Sequence, residues 1–119
     1  MNMIRDFRED YFLGRVYFPK ASFKKYGFEL LSPELASHRP EAFLKFILDQ
    51  IALYKEWRGE AESGFEFIPS RYRLAILAAV ESFDEVIAVI EADPLIILKQ
   101  KVSLSRKRIV LSAIKQLVP

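Results

Sequence analysis

Two aspartates four residues apart, Asp6 and Asp10, form a candidate site for chemistry near the start of the chain. On a helix, side chains at positions i and i+4 lie on one face with their Cβ atoms about 5–6 Å apart. Mg²⁺ binds one or two protein carboxylates and completes its coordination with water or substrate phosphate oxygens. The spacing is therefore compatible with a magnesium site, but the alternating charges of residues 5–10 would also pair with one another on an ordinary solvated helix.

Other reactive groups are scarce in this sequence. There is no Cys, which excludes a disulfide framework and any thiolate nucleophile or metal ligand. His38 is the single histidine and precedes Pro40, so we expect it in a surface loop rather than in a metal cluster. No serine has a partnered base in the sequence, which argues against a hydrolase triad.

The elements that must position the two aspartates are predicted to be helices. Apolar residues recur every three or four positions over residues 41–58, after Pro40, and Gly59 is expected to end that helix. The same period predicts a second long helix over residues 70–92, which Asp93 and Pro94 would stop. No segment alternates with period two, so the predicted fold class is all-α, a helical bundle in which residues 1–119 form a single domain.

Shorter helical segments are predicted around these two. Residues 2–11 indicate a short helix that carries both aspartates, and residues 22–26 a helical turn closed by Gly27. A third segment runs from Pro94 to about Val102, and Ser103 or Ser105 would cap a last helix. The aromatic residues Phe43, Phe46 and Trp57 are expected to pack in the core, or to line a cavity.

Composition and charge limit the compartment and the partners. The chain has 119 residues, 51% of them apolar and ten of them Phe, with a net charge of +2. Six basic residues and no acidic one follow Asp93. No signal peptide or membrane span is evident, so we expect a cytoplasmic protein with possible peripheral membrane contact. Arg106, Lys107 and Arg108 would also suit a small basic nucleic-acid-binding protein, but no helix-turn-helix pattern supports nucleic acid as the partner.

Several motifs follow one another along nearly the whole chain. Residues 2–10 read N-x-x-R-D-x-x-x-D, and residues 14–19 read G-R-x-Y-x-P. Further matching segments are residues 25–27, 50–54, 68–71, 78–91 and 101–107. In this order and spacing the motifs resemble those of the squalene and phytoene synthase family.

The resemblance implies a class I isoprenoid synthase fold and a Mg²⁺-dependent, head-to-head condensation of two prenyl diphosphates, farnesyl or geranylgeranyl. It implies that Asp6 and Asp10 are the metal ligands and that Tyr17 is the catalytic tyrosine of the active site. Asn2 and Lys101 would bind the substrate, with Lys101 where the family has an arginine. Such a lysine keeps the charge and loses the bidentate fork of arginine.

The chain also departs from the family pattern. Family members have another aspartate-rich motif in an N-terminal half, whereas this sequence contains one D-x-x-x-D, and Phe83 stands where the family often has Tyr. We therefore expect a counterpart of the C-terminal half that would be an enzyme only when a complementary N-terminal half or self-association into a homo-oligomer completes the site. The alternative is a non-catalytic helical interaction module.

Overall fold

The computed structural model describes residues 1–103 and residue 114. This part of the chain contains six α-helices and two 3-10 helices and has no strand, which confirms the predicted all-α class. The last helix predicted after Ser103 or Ser105 lies outside the described residues. Within them, no helix is both long and apolar enough to span a lipid bilayer.

The aspartate motif lies on two consecutive short helices, α1 (Asn2–Arg5) and α2 (Phe7–Phe12). The single predicted helix is interrupted at Asp6, whose backbone dihedral angles are φ −97° and ψ 14°. The helical path nevertheless continues, since the Asp6 amide donates to the Asn2 carbonyl at 2.8 Å and the Asp10 amide donates to the Asp6 carbonyl at 2.8 Å. Buried Ile4 and Phe7 anchor the two helices on the core.

Two further short helices follow, α3 (Lys20–Lys24) and α4 (Pro33–His38). The turn after α3 ends at Gly27, as predicted, and needs glycine because its φ is +87°. Helix α4 was not predicted, although Ser32 and Pro33 are typical start signals, and the Ser32 hydroxyl accepts from the Leu35 amide at 3.1 Å. The predicted loop position of His38 was therefore wrong, since this exposed residue ends α4.

The two long helices are α5 (Pro40–Glu62) and α6 (Ser70–Ala92), with a 3-10 helix at Phe65–Phe67 between them. Gly59 does not end α5, so that prediction was wrong. Glycine can adopt helical dihedral angles at a cost of about 1 kcal/mol relative to alanine. An ion pair of 3.8 Å between Arg58 and Glu62 spans Gly59. The bounds predicted for α6 are confirmed.

The core lies between α5, α6 and a second 3-10 helix at Pro94–Leu98. Ile97 from this 3-10 helix is buried together with apolar residues of both long helices. Phenylalanine rings from the N-terminal segments pack on Phe43 and Phe46 of α5, with Phe18 edge-to-face on Phe46 at 5.1 Å between centroids. Each buried ring contributes about 1.5–3 kcal/mol, and this accounts for part of the high Phe content.

One face of α6 is buried near the C-terminal end of the helix and exposed over the preceding turns. Tyr72, Ile76 and Phe83 are exposed, and their spacing places them on the same helix face as buried Ile90. We call these three residues the α6 stripe. Trp57 is 59% exposed, so its predicted place in the core was wrong, and it lies on the wall of a cavity, the other position expected for it.

Candidate functional site

Asp6 is held by its neighbour in the sequence. The Arg5 guanidinium donates to both carboxylate oxygens, from Nε to Oδ1 at 2.8 Å and from Nη2 to Oδ2 at 3.1 Å. This hydrogen-bonded pair, which is partly buried, lowers the pKa of the Asp6 carboxyl below its ordinary value. The charge pairing considered for residues 5–10 is thus present between Arg5 and Asp6.

Lys101 reaches the same carboxylate from the other end of the described chain. Its ammonium nitrogen lies 3.3 Å from Glu9 Oε2 and 4.0 Å from Asp6 Oδ1. The backbone there is fixed by two buried neighbours, Ile97 in the second 3-10 helix and Val102. The structure therefore brings two predicted site residues together, Asp6 and Lys101.

An open cavity of about 330 Å³ lies between α2 and this segment. We call it the charged cavity because three cations, Arg5, Arg8 and Lys101, and one carboxylate, Glu9, line it. Its remaining lining residues are Phe12, Leu13, Ile97 and Gln100. Together with the neighbouring Asp6, two carboxylates face these three cations, and the excess of positive charge suits the binding of a phosphate-bearing ligand.

Asp10 and Asn2 extend the site along the helical path. Asp10 is half-buried and lies one turn after Asp6, while Asn2 is exposed and lies one turn before it. Like Asp6, these two residues do not line the charged cavity. The described residues contain no group of three or more His, Cys, Asp or Glu able to hold a metal ion. Two carboxylates on one helical face nevertheless fit Mg²⁺, which uses few protein ligands and takes the rest from water and phosphate.

Tyr17 lies in a different place, in a mostly apolar cavity of about 190 Å³. Its side chain is 52% exposed. We call this space the apolar cavity, and it is lined by Met1, Met3, Ile4, Tyr17, Phe18, Pro19, Ser22, Gln50, Leu53, Tyr54 and Trp57. Consecutive residues of α1 belong to the two cavities, Ile4 to the apolar one and Arg5 to the charged one. The N-terminal helices thus separate an apolar space from a charged space.

A second polar cluster joins the two long helices and was missed in the sequence. The Tyr54 hydroxyl donates to Asp84 Oδ1 at 2.9 Å, and Arg58 Nε donates to Asp84 Oδ2 at 3.2 Å. Partial burial, followed by the hydrogen bond to Asp84, raises the pKa of Tyr54 to about 12. The i, i+4 spacing of Tyr54 and Arg58 is the signal that would have placed both on one face of α5.

Sequence reasoning also left Glu9 and Arg5 out of the site. Glu9 follows Asp6 by three residues, so the same helical periodicity places its carboxylate near that of Asp6. Arg5 belongs to the N-x-x-R-D-x-x-x-D motif and to the run of alternating charges, but the sequence assigns it no role in the site. The contact with Lys101 identifies Glu9 as part of the site, and the two hydrogen bonds to Asp6 identify Arg5.

Comparison with known families agrees with the motif order. The family model for squalene/phytoene synthase matches residues 1–108, which is most of the chain. No curated protein gives a significant match. The solved structures give none either. The family match includes both aspartates, Tyr17 and Lys101, and the all-helical architecture agrees with it. This chain belongs to the squalene/phytoene synthase family.

Proposed function

We propose that this chain forms the diphosphate-binding part of a Mg²⁺-dependent prenyltransferase that joins two farnesyl or geranylgeranyl diphosphates head to head. The observation that carries the proposal is the arrangement around α1 and α2. The carboxylates of Asp6 and Asp10 and the charged cavity are on this pair of helices, and the apolar cavity begins at the neighbouring residue, Ile4. A prenyl diphosphate has the same division into an anionic head and an apolar tail.

The residues have separate tasks in this proposal. Asp6 and Asp10 would hold Mg²⁺, which when bound neutralises the diphosphate and helps it leave. Arg5 orients the Asp6 carboxylate through two hydrogen bonds, and Arg8 and Lys101 offer positive charge to the phosphate oxygens. The apolar cavity receives hydrocarbon and excludes water from it. Tyr17, on the wall of this cavity, would be the catalytic tyrosine.

The small volume of the apolar cavity supports the proposal that further protein walls enclose the prenyl chain. Its volume of about 190 Å³ is below the range of roughly 300–1,000 Å³ typical of small-molecule pockets. The sequence also has a single D-x-x-x-D motif. We therefore propose that a complementary half, or a second copy of this chain, supplies the remaining cation ligands and encloses the rest of the prenyl chain.

Thermal unfolding with ligand tests the proposal. Mg²⁺ with geranylgeranyl or farnesyl diphosphate should raise the Tm of the wild-type chain, because a ligand at 100 times its Kd stabilises the folded state by about 2.7 kcal/mol. Asp6→Asn and Asp10→Asn should abolish the increase. Asp49→Asn is the matched control, since that carboxylate pairs with Lys25 on another surface. No increase in the wild type, or an equal increase in all variants, would reject the proposal.

The exposed α6 stripe favours one second candidate, a non-catalytic helical interaction module. An apolar helix face open to water is typical of an interface. This alternative predicts that Asp6→Asn and Asp10→Asn leave both ligand-dependent melting and oligomeric state unchanged. The same unfolding experiment, combined with sedimentation of the variants, therefore separates the two functions.

A further inference from the structure

We propose that Lys101 is the resident counter-ion of the Asp6 and Glu9 carboxylates, and that a divalent cation binding at Asp6 displaces its ammonium group toward the charged cavity. The inference rests on the proposed function and adds a regulatory step to it. In the empty site Lys101 competes with the metal, and in the loaded site it faces the phosphate oxygens. Metal binding and phosphate binding would then favour each other.

The contacts of Asp6 distinguish a fixed cation from an exchangeable one. Arg5 is the next residue in the sequence, is 21% exposed, and makes two hydrogen bonds of 2.8 and 3.1 Å. Lys101 is 52% exposed, and its nitrogen is 4.0 Å from the same carboxylate. Lysine is also a point charge on a flexible stem, whereas arginine is held by its planar fork. The longer and more exposed contact is the one that a metal ion would replace.

Lys101 borders the charged cavity as well as the two carboxylates. The charged cavity is lined by Lys101 together with Arg5 and Arg8, so an ammonium group that leaves the carboxylates remains beside two other cations. Such a cluster is unfavourable when the cavity is empty and becomes favourable when an anion enters it. Because coupling between two sites is reciprocal, the anion would strengthen metal binding by the same factor as the metal strengthens anion binding.

Direct titration with Mn²⁺, followed by the paramagnetic resonance signal of the free ion, tests the first half of the proposal. Lys101→Met should bind Mn²⁺ about two- to fivefold more tightly than the wild type, the range that one exposed ion pair supplies. Lys99→Met is the control, because it removes the same charge from an exposed lysine two residues away. Its Mn²⁺ affinity should change by less than about twofold, since exposed charges are screened by salt.

Inorganic pyrophosphate tests the second half, by calorimetry at saturating Mn²⁺. Lys101→Met should bind pyrophosphate more weakly than the wild type by about threefold or more, while Lys99→Met stays at the wild-type value. We expect tighter Mn²⁺ binding and weaker pyrophosphate binding in Lys101→Met, and neither change in Lys99→Met. A purely structural lysine would not shift the two affinities in opposite directions.

The outcomes separate this inference from the proposed function. If wild-type Mn²⁺ binding is lost in Asp6→Asn, but Lys101→Met and Lys99→Met have equal affinities for Mn²⁺, the proposed function stands and the counter-ion role is overturned. If Lys101→Met tightens Mn²⁺ binding and leaves pyrophosphate affinity unchanged, the displacement toward the cavity is overturned. If the wild-type protein does not bind Mn²⁺, both the counter-ion role and the proposed metal site are rejected.

Discussion

At the scale of single residues, the site is governed by how each carboxylate is paired. Asp6 accepts hydrogen bonds from Nε and Nη2 of Arg5 and lies near Lys101, whereas Glu9 contacts Lys101. The hydrogen bonds from Arg5 favour the ionised form of the Asp6 carboxyl and hold its pKa below the ordinary value. The Asp6 side chain is therefore in the charged form that a divalent cation needs over the whole neutral range.

Removal of Arg5 should raise the pKa of the Asp6 carboxyl. Because its folded-state pKa is lowered, the ionised Asp6 stabilises the fold above pH 3.8, and this stabilisation is lost as the pH falls through the folded-state value. Arg5→Gln should shift the Asp6 titration upward, which carboxyl NMR can measure. Arg8→Gln removes the same charge from a residue that stacks on Phe12, and it should shift Asp6 less. Equal shifts in the two variants would contradict the assignment to hydrogen bonding.

At the scale of elements, two devices fix how the helices and turns meet. The cluster of Tyr54, Arg58 and Asp84 connects α5 to α6. The Arg39 guanidinium at the start of α5 donates to the Gly27 and Tyr26 carbonyls and lies over the Phe28 ring, with 4.9 Å from its carbon to the ring centroid. Neither device includes Asp6 or Asp10. Both hold the framework on which the two cavities are formed.

The first element-scale prediction concerns alkaline pH. The pKa of Tyr54 is about 12 against an ordinary value of 10, so its neutral form stabilises the fold up to pH 10. That stabilisation is lost as the pH rises from 10 to 12. Tyr54→Phe should cost about 1 kcal/mol at neutral pH, through the lost hydrogen bond to Asp84.

Denaturant unfolding at several pH values measures the effect. The free-energy difference between wild type and Tyr54→Phe should shrink between pH 10 and 12. Tyr72→Phe serves as control, because exposed Tyr72 is on α6 and is not the partner of Asp84. A difference for Tyr54→Phe that stays constant across this pH range would show that the hydroxyl is not coupled to the fold.

The second element-scale prediction compares two glycines with positive φ. Gly14→Ala should cost about 1–2 kcal/mol from its φ of +78° alone, since the added methyl group has open space around it. Gly27→Ala should cost more, because its Cβ would lie 2.5 Å from Arg39 Nη2. Chemical denaturation of both variants gives the two values.

The Arg39 side chain provides the control for this comparison. Placing Arg39→Gln in the Gly27→Ala background should recover part of the added cost, so the two changes would be non-additive. Additive effects of the two changes would argue against the steric explanation. Equal costs of Gly27→Ala and Gly14→Ala would also contradict it.

At the scale of the whole molecule, the main feature is that α6 is only half covered. The face that packs at Val86 and Ile90 continues into the exposed α6 stripe. The described residues have principal extents of 47 × 28 × 25 Å, and this elongated form leaves a large surface for a given core. The high apolar content is therefore divided between a phenylalanine-rich core and a surface open for contact.

If a second copy covers the α6 stripe, polar substitutions there should weaken self-association. Tyr72→Ser combined with Ile76→Ser should raise the dissociation constant of the dimer about tenfold or more, the equivalent of 1.4 kcal/mol. Sedimentation velocity over a range of concentrations measures this. Val89→Ser is the control, an exposed position of α6 on another face. An unchanged distribution of species would exclude the α6 stripe as the dimer contact.

The part of the fold that could be predicted is the part that depends on local periodicity. The bounds of α6 follow from its apolar repeat and from Asp93 and Pro94. The end of α5 was misjudged, because nothing in the local sequence shows that the helix tolerates Gly59. Exposure of Trp57 depends on where other helices lie, so it could not be inferred from its own segment.

The same reasoning applies to the candidate site. The i, i+4 relation of Asp6 and Asp10 was accessible from the sequence, and the backbone path preserves it. The meeting of Lys101 with Glu9 was not accessible, because it depends on the second 3-10 helix packing between α5 and α6. Pairing of residues from distant segments is a property of tertiary packing and leaves no local pattern.

The contact of Lys101 with Glu9 also links the candidate site to the order of folding. The two residues lie near opposite ends of the described chain, so their approach closes a very long loop and comes late, after the local helices have formed. A site assembled in this way does not exist in partly folded chains. Any Lys101-dependent binding of pyrophosphate would therefore report that the whole chain has reached its native topology, and the bound anion would in turn stabilise that topology over every open form.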